Sequence, residues 1–284
     1  MERILALTMP FSIIEIVVMN NDNGRQMASS AYRLAALDED FILGDSMRGV
    51  RFLLEYAKAE ENLRNWGIDS TIVVFGSARA MPVDDPAVPT ATLPPGAKPN
   101  SGARAAWWYD QARHFGRIVS ERGGAMSPVD GRRRNVIATG GGPGIMEAAN
   151  RGASDAGAPS IGFNIRLQTE QAPNAYSTPD LTFQFHYFAM RKMHLAMRAR
   201  ALVVFPGGFG TLDELFEVVT LVQTRKTPKV PIICIDQGFW TKTINFAALA
   251  EEGMIAPTDV ELITFADNAE AAWSKLLEAG LQIS

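Results

Sequence analysis

Three short glycine-rich stretches hold the residues best suited to chemistry. "PGGFGTLDE", Pro206 to Glu214, sets Gly207, Gly208, Gly210 and Thr211 ahead of two successive acids, Asp213 and Glu214. "FGSAR", Phe75 to Arg79, offers Gly76, Ser77 and Arg79, and "TGGGPGIME", Thr139 to Glu147, offers Gly141, Gly142 and Glu147. Glycine lets the main chain turn sharply and approach a ligand without interference from a Cβ. Amides at the start of a helix present N–H groups and partial positive charge, which suit an anion. One such turn is an ordinary connection, whereas three at corresponding strand ends favour a phosphate or nucleotide cleft. The acids also have a plainer reading, because carboxylates on the first turns of a helix complement its dipole.

What is absent narrows the chemistry. The dinucleotide spacing G-x-G-x-x-G/A fails in the glycine-rich turns: from Gly140 and Gly142 it reaches Ile145, from Gly142 and Gly144 it reaches Glu147, and from Gly208 and Gly210 it reaches Asp213. That disfavours a nicotinamide redox enzyme. No Gly-Lys pair occurs, so the chain is no P-loop nucleotidase. His114, His186 and His194 form no metal-ligand spacing with Cys234 or with paired carboxylates, and no metal is expected.

The elements that must position these turns follow from apolar runs. Short continuous runs at Thr71–Phe75, "NVIATG", "SIGFNI", "LTFQFHYF", Ala201–Phe205, "VPIICID" and "LITFAD" suit strands covered on both faces. Helical spacing is expected near Ala105–Arg122, from Pro143 through "IMEAANRGASDAG", over "AMRKMHLAMRA", from Leu212 to about Arg225, over Phe239–Glu252, and in "NAEAAWSKLLEAG". Strands alternating with helices predict an α/β, Rossmann-like parallel sheet with helices on both faces. Ligands in such a sheet gather beyond the carboxyl ends of the strands, where the glycine turns fall. Residues 1–69 read as a partly helical N-terminal extension and 70–284 as the nucleotide-binding catalytic domain. Within it, 81–104 is rich in Pro, Gly, Ala and Thr, which bars a helix interior or central strand and marks a surface insertion and candidate lid.

Composition sets outer bounds. At 284 residues with 47% hydrophobic and 20% charged residues, the chain can bury a substantial core. A formal net charge of -4 gives no basic footprint, so no nucleic-acid partner is expected. Pro10 and Glu15 interrupt the apolar N-terminus, leaving pieces shorter than the ~20 residues that span a bilayer. No membrane partner is expected either. The single cysteine, Cys234, sits in an apolar run and reads as packing, which fits a cytoplasmic setting.

"PGGFGTLDE" also fits a P-G-G-x-G-T-x-x-E signature. Together with "GGGPGIMEAAN", "FGSAR" and "MRKMHLAMRARALVVFPGG" it resembles the LOG (Lonely guy) family of nucleotide 5'-monophosphate phosphoribohydrolases, long labelled possible lysine decarboxylases. The resemblance runs from about Thr71 to the C-terminus, and the N-terminal helices and insertion are closer to longer bacterial members than to compact plant enzymes. It implies hydrolysis of the N-glycosidic bond of a purine nucleoside 5'-monophosphate, AMP or a cytokinin riboside monophosphate, to free base and ribose 5-phosphate without a cofactor. By that carry-over Arg191 and Glu214 are the catalytic pair, and Gly207, Gly208, Gly210 and Thr211 hold the phosphate. Gly76, Ser77, Arg79, Gly141, Gly142 and Glu147 line the rest of the nucleotide pocket. A homodimer or higher homo-oligomer is implied as well.

Plainer readings stand beside these. Arg191 and Lys192 suit a solvated helix face, Arg198 and Arg200 suit ion pairs, and Glu147 suits a helix start. "WWYD", Trp107–Asp110, suits packing better than base stacking. Met190, Met193 and Met197 recur at helical spacing as a core or subunit-contact stripe. A non-catalytic nucleotide or molybdenum-cofactor carrier is the alternative on the same fold. The decarboxylase label fits poorly, since that reaction calls for a Schiff-base lysine and no Ser-x-His-Lys context is present.

Overall fold

The computed structural model describes residues 23–82, 101–167 and 172–283. Most of the 81–104 insertion and the first 22 residues of the N-terminal extension lie outside them. The chain divides into two compact units, the first ending at Arg51 and the second beginning at Phe52. In the first, α1 (Gly24–Met27) and α2 (Glu39–Leu43) are short, and the Asp38 side chain caps α2 by accepting from the Phe41 amide at 3.3 Å. Helix α3 (Arg48–Asn65) contains the division and contributes Ala59 and Leu63 to the core of the second unit.

The second unit is a seven-stranded, all-parallel sheet of β1 (Thr71–Phe75), β2 (Val136–Thr139), β3 (Ser160–Ile165), β4 (Thr182–Phe185), β5 (Ala199–Val204), β6 (Ile232–Ile235) and β7 (Ile263–Ala266). Between them run α4 (Ser101–Arg122), α5 (Ile145–Asp155), α6 (Phe188–Met197), α7 (Phe209–Gln223), α8 (Gln237–Thr243), α9 (Phe246–Glu251) and α10 (Ala269–Glu278). Strand side chains alternate between two cores. Val73, Phe75, Leu202, Val204 and Cys234 pack with Leu195 of α6, Leu215 of α7 and Trp240 of α8. Ile72, Val74, Val203 and Ile235 pack with Phe115 of α4, Ala149 of α5 and Trp273 of α10. Burial on both faces is why these strands are continuous apolar runs rather than alternating ones. Each large side chain so buried contributes roughly 1.5–3 kcal/mol of transfer free energy.

The strand order β4-β3-β2-β1-β5-β6-β7 fixes where a ligand can enter. The chain steps outward from β1 to β4, then returns to lay β5 on the other side of β1. Successive connections therefore leave the sheet in opposite directions at the β1/β5 boundary, opening a crevice beyond their carboxyl ends. The turns after β1, β2 and β5 are the three glycine-rich stretches.

Several boundaries differ from the sequence expectation for identifiable reasons. Helix α7 starts at Phe209, with Gly208 as its N-cap, so it begins inside the glycine cluster rather than at Leu212. Helix α4 starts at Ser101, making the last four residues of the 81–104 segment helical. The single helix expected over Phe239–Glu252 is two, parted where Asn245 caps α9 by accepting from the Ala248 amide at 3.1 Å. The Met190/Met193/Met197 stripe is only partly the core face of α6: Met190 packs against the core and Met193 is half-buried. Arg191, His194 and Leu195 are buried, and Met197 is exposed.

His194 has neither ring nitrogen hydrogen-bonded and sits among Tyr56, Phe163 and Phe185 at centroid distances of 5.5, 6.1 and 5.6 Å. Burial holds its imidazole below the ordinary value. Trp108 donates from Nε1 to Asp236 at 2.9 Å and meets Phe239 edge-on, and Tyr109 is fully buried, so these two members of the aromatic run pack while Trp107 is exposed.

Two outcomes follow. Helices α4 and α5 approach so closely that a Cβ on Gly152 would overlap the Arg113 carbonyl oxygen. Gly152→Ala should cost about 1–3 kcal/mol, seen as a lower urea midpoint with unchanged slope. The His194 imidazole is neutral in the fold and protonates more readily once unfolded, so its contribution is present above the unfolded value and lost as pH falls toward the lower folded one. Urea midpoints of His194→Phe should therefore decline less than those of the wild type as pH drops below about 6.5.

Candidate functional site

Local sequence folds the three turns against one another. The Ser77 amide donates to the Pro206 carbonyl at 2.9 Å, and the Ser77 carbonyl accepts from the Ile145 amide at 3.1 Å. One residue after β1 thus fastens the turns after β5 and β2. The second bond also satisfies the first amide of α5. Helix α7 is different: its N-cap is a glycine with no side chain to offer, and space is open beside both Gly208 and Gly210. Gly207 lies behind them, where a Cβ would collide with the Thr211 side chain.

Between the turns is a cleft of about 550 Å³. It brings together Gly76, Ser77 and Arg79 from the first turn, Gly208, Gly210 and Thr211 from the last, and the side chains of Arg191 and Glu214. Gly141, Gly142, Glu147 and Gly207 do not line it. The Gly141 and Gly142 carbonyls accept from Asn174 Nδ2 at 3.1 and 3.2 Å, and Glu147 accepts from the Tyr109 hydroxyl at 2.8 Å.

Arg191 and Glu214 face each other from α6 and α7 at 3.4 Å, with side chains 10% and 6% exposed. The separation is an ionic contact, longer than a short charge-assisted hydrogen bond. Arg191 Nε donates to the Phe163 carbonyl of β3 at 2.9 Å, and its guanidinium carbon lies 5.7 Å from the Phe75 ring centre. Gly140 completes this seat. A Cβ there would come within 2.7 Å of Arg191 Nη2 and 2.9 Å of Met146 Sδ.

Burial raises the Glu214 carboxyl above its ordinary value, against the pull of Arg191 and Lys192. Burial likewise lowers Arg191, opposed chiefly by Glu214, and a guanidinium so placed stays charged. Glu214 is the sixth residue of α7 and so lies past the first turn, where the dipole acts. Dipole complementarity therefore does not explain it. The fixed charges and open amides can together hold an anion at the helix start and stabilise a cation that develops beside Glu214. Among the described residues no group of His, Cys, Asp and Glu is arranged to hold a metal ion, and no helix is long and apolar enough to cross a membrane.

Phe188 and Phe209 also line the cleft and were not foreseen. Phe209 is 92% exposed, so the fold gains nothing from it. Its only sequence signal is occupancy of the variable position in P-G-G-x-G-T. Gly140 was visible within its glycine run, but its contact with Arg191 depends on tertiary structure.

Residues 146–276 match the family described as possible lysine decarboxylase. The cytokinin riboside 5'-monophosphate phosphoribohydrolase LOG3 of Arabidopsis thaliana is 30% identical over 151 residues, covering 52% of this chain and 68% of the relative. A probable cytokinin riboside 5'-monophosphate phosphoribohydrolase, LOG6 of the same plant, is 30% identical over 149 residues, covering 52% and 73%. A solved molybdenum cofactor binding protein from Rippkaea orientalis is 17% identical with a TM-score of 0.44, covering 75% of this chain and 96% of that one.

Substituting Gly140→Ala should push the Arg191 guanidinium from its seat at a cost of about 1–3 kcal/mol. Faster solvent exchange of the Arg191 Nε proton by NMR is the expected sign, since its hydrogen bond to Phe163 would be weakened.

Proposed function

This chain belongs to the LOG family, and from that premise we propose that it hydrolyses the N-glycosidic bond of a purine nucleoside 5'-monophosphate, releasing free base and ribose 5-phosphate. The observation that carries this reading is the buried Arg191–Glu214 pair sharing one cleft with the uncapped glycine start of α7. The α7 amides and Thr211 anchor the 5'-phosphate, and that remote binding energy positions the sugar. As the C1'–N9 bond lengthens, its electron pair leaves with the base and positive charge builds on the ribose. Glu214 as a carboxylate favours that charged state over the ground state. Water adds its oxygen to C1', and its proton ends on the departing base. Arg191 supplies positive charge where the base becomes electron-rich and keeps Glu214 oriented.

AMP, or a cytokinin riboside monophosphate, is the proposed substrate. Chromatography of purified protein with AMP should show adenine and ribose 5-phosphate in equal amounts. Adenosine should be cleaved with kcat/KM about 100-fold lower or less, because phosphate binding energy is lost. Glu214→Gln should lower kcat about 10²–10⁴-fold with little change in KM. Equal cleavage of adenosine and AMP would remove the phosphate anchor, and tight AMP binding without base release would favour the carrier reading.

A further inference from the structure

Glu214 is one of three acids on the same stretch of α7, and the other two share a partner. Lys192 Nζ lies 2.8 Å from Asp213 Oδ2 and 2.7 Å from Glu217 Oε2. Asp213 and Glu217 are four residues apart and so lie on one helix face, with Glu214 beside them. Lys192 follows Arg191 directly on α6, and its side chain is only 19% exposed. Helices α6 and α7 therefore meet through two rungs, an inner one of Arg191 with Glu214 and an outer one of Lys192 with Asp213 and Glu217. Five charges face one another across the helix contact, two positive and three negative, and Arg79 adds a cation from the far wall of the cleft.

We propose that Lys192 is a positioning residue: by binding Asp213 and Glu217 it takes up the charge of Glu214's two acidic neighbours and reserves Arg191 for Glu214. The catalytic meaning rests on the hydrolase reading above, which needs Glu214 ionised. Without Lys192, two unneutralised carboxylates lie next to a third that burial already disposes toward its protonated form. They also become competitors for the Arg191 guanidinium. An exposed pair would matter little, but Lys192 and Glu217 are partly buried, and although Asp213 is 56% exposed the bridge is three-centred. Burial pulls the Lys192 ammonium down, but the adjoining Asp213 and Glu217 carboxylates together outweigh it and hold it above its ordinary value.

The test follows the Glu214 side-chain carboxyl by ¹³C NMR across a pH titration, its resonance assigned by loss in Glu214→Gln. In Lys192→Met the midpoint should move to higher pH, and Lys192→Arg should restore it. Circular dichroism and urea midpoints report whether each variant is folded. If Lys192→Met does not fold, Asp213→Asn with Glu217→Gln carries the test, and the Glu214 midpoint must then fall. An unmoved midpoint in a folded variant overturns the proposal. AMP hydrolysis is read in parallel: kcat of Lys192→Met at pH 6 should drop about tenfold relative to wild type, with recovery at higher pH and a nearly unchanged KM. A wild type that cleaves no AMP would overturn the hydrolase reading, while the NMR titration would still decide whether Lys192 governs Glu214.

Discussion

A charged pair held away from water between two helices is the constraint around which this molecule is organised. Desolvating a guanidinium and a carboxylate costs several kcal/mol for each ion, and their mutual attraction repays this only with good geometry and further hydrogen bonds. At 3.4 Å the Arg191–Glu214 contact is looser than a stability device would be. The hydrogen bond from Arg191 Nε to Phe163, the Phe75 ring beneath the guanidinium and the vacant Cβ position at Gly140 offset part of that cost. On the proposed reading the remainder is tolerated because a carboxylate in a dry site acts more strongly on a developing cation than one in water.

Topology explains why that pair faces a cleft rather than the middle of a core. Arg191 enters from α6, just before β5, and Glu214 from α7, just after it. The strand between them borders the β1/β5 switch point, so both side chains converge at the crevice the strand order creates. Ser77 then fastens the turns after β2 and β5 through its own amide and carbonyl. Only main-chain atoms are used, which leaves the surrounding glycine surfaces clear on the ligand side.

Much of this was legible in the chain itself. All seven strands were legible as apolar runs, most plainly β1, β2 and β6, which are buried at every position, whereas the edge strand β4 alternates, with Phe183 and Phe185 buried and Gln184 exposed. Helix α6 was harder to read. Its methionines gave the apolar spacing, yet the face it buries carries Arg191 and His194, and no hydropathy pattern reveals polar residues that tertiary partners draw inside. Helix α7 was misplaced by three residues because glycine, which usually argues against helix, occupies both its N-cap and its second position. There the low helix propensity is accepted where bare amides are wanted. Phe209 left no periodic signal, since an exposed ring has no packing periodicity to obey.

The two most similar-looking turns also show how little a glycine-rich string determines alone. After β2, the first α5 amide is taken by Ser77, the Gly141 amide by Thr139 Oγ1 at 2.9 Å, and the Gly141 and Gly142 carbonyls by Asn174. Asn174 itself is tied to Asn150, which reaches Thr139 and Ser160. Those bonds tie that turn into a buried polar network. After β5, the start of α7 has a glycine cap and open space at Gly208 and Gly210. Amides that lack a side-chain cap are worth most to an anion that supplies one. On the proposed reading the turn after β5 is the better anion site, while the turn after β2 lends the cleft Met146, and the difference follows from where the hydrogen bonds go rather than from how many glycines each turn contains.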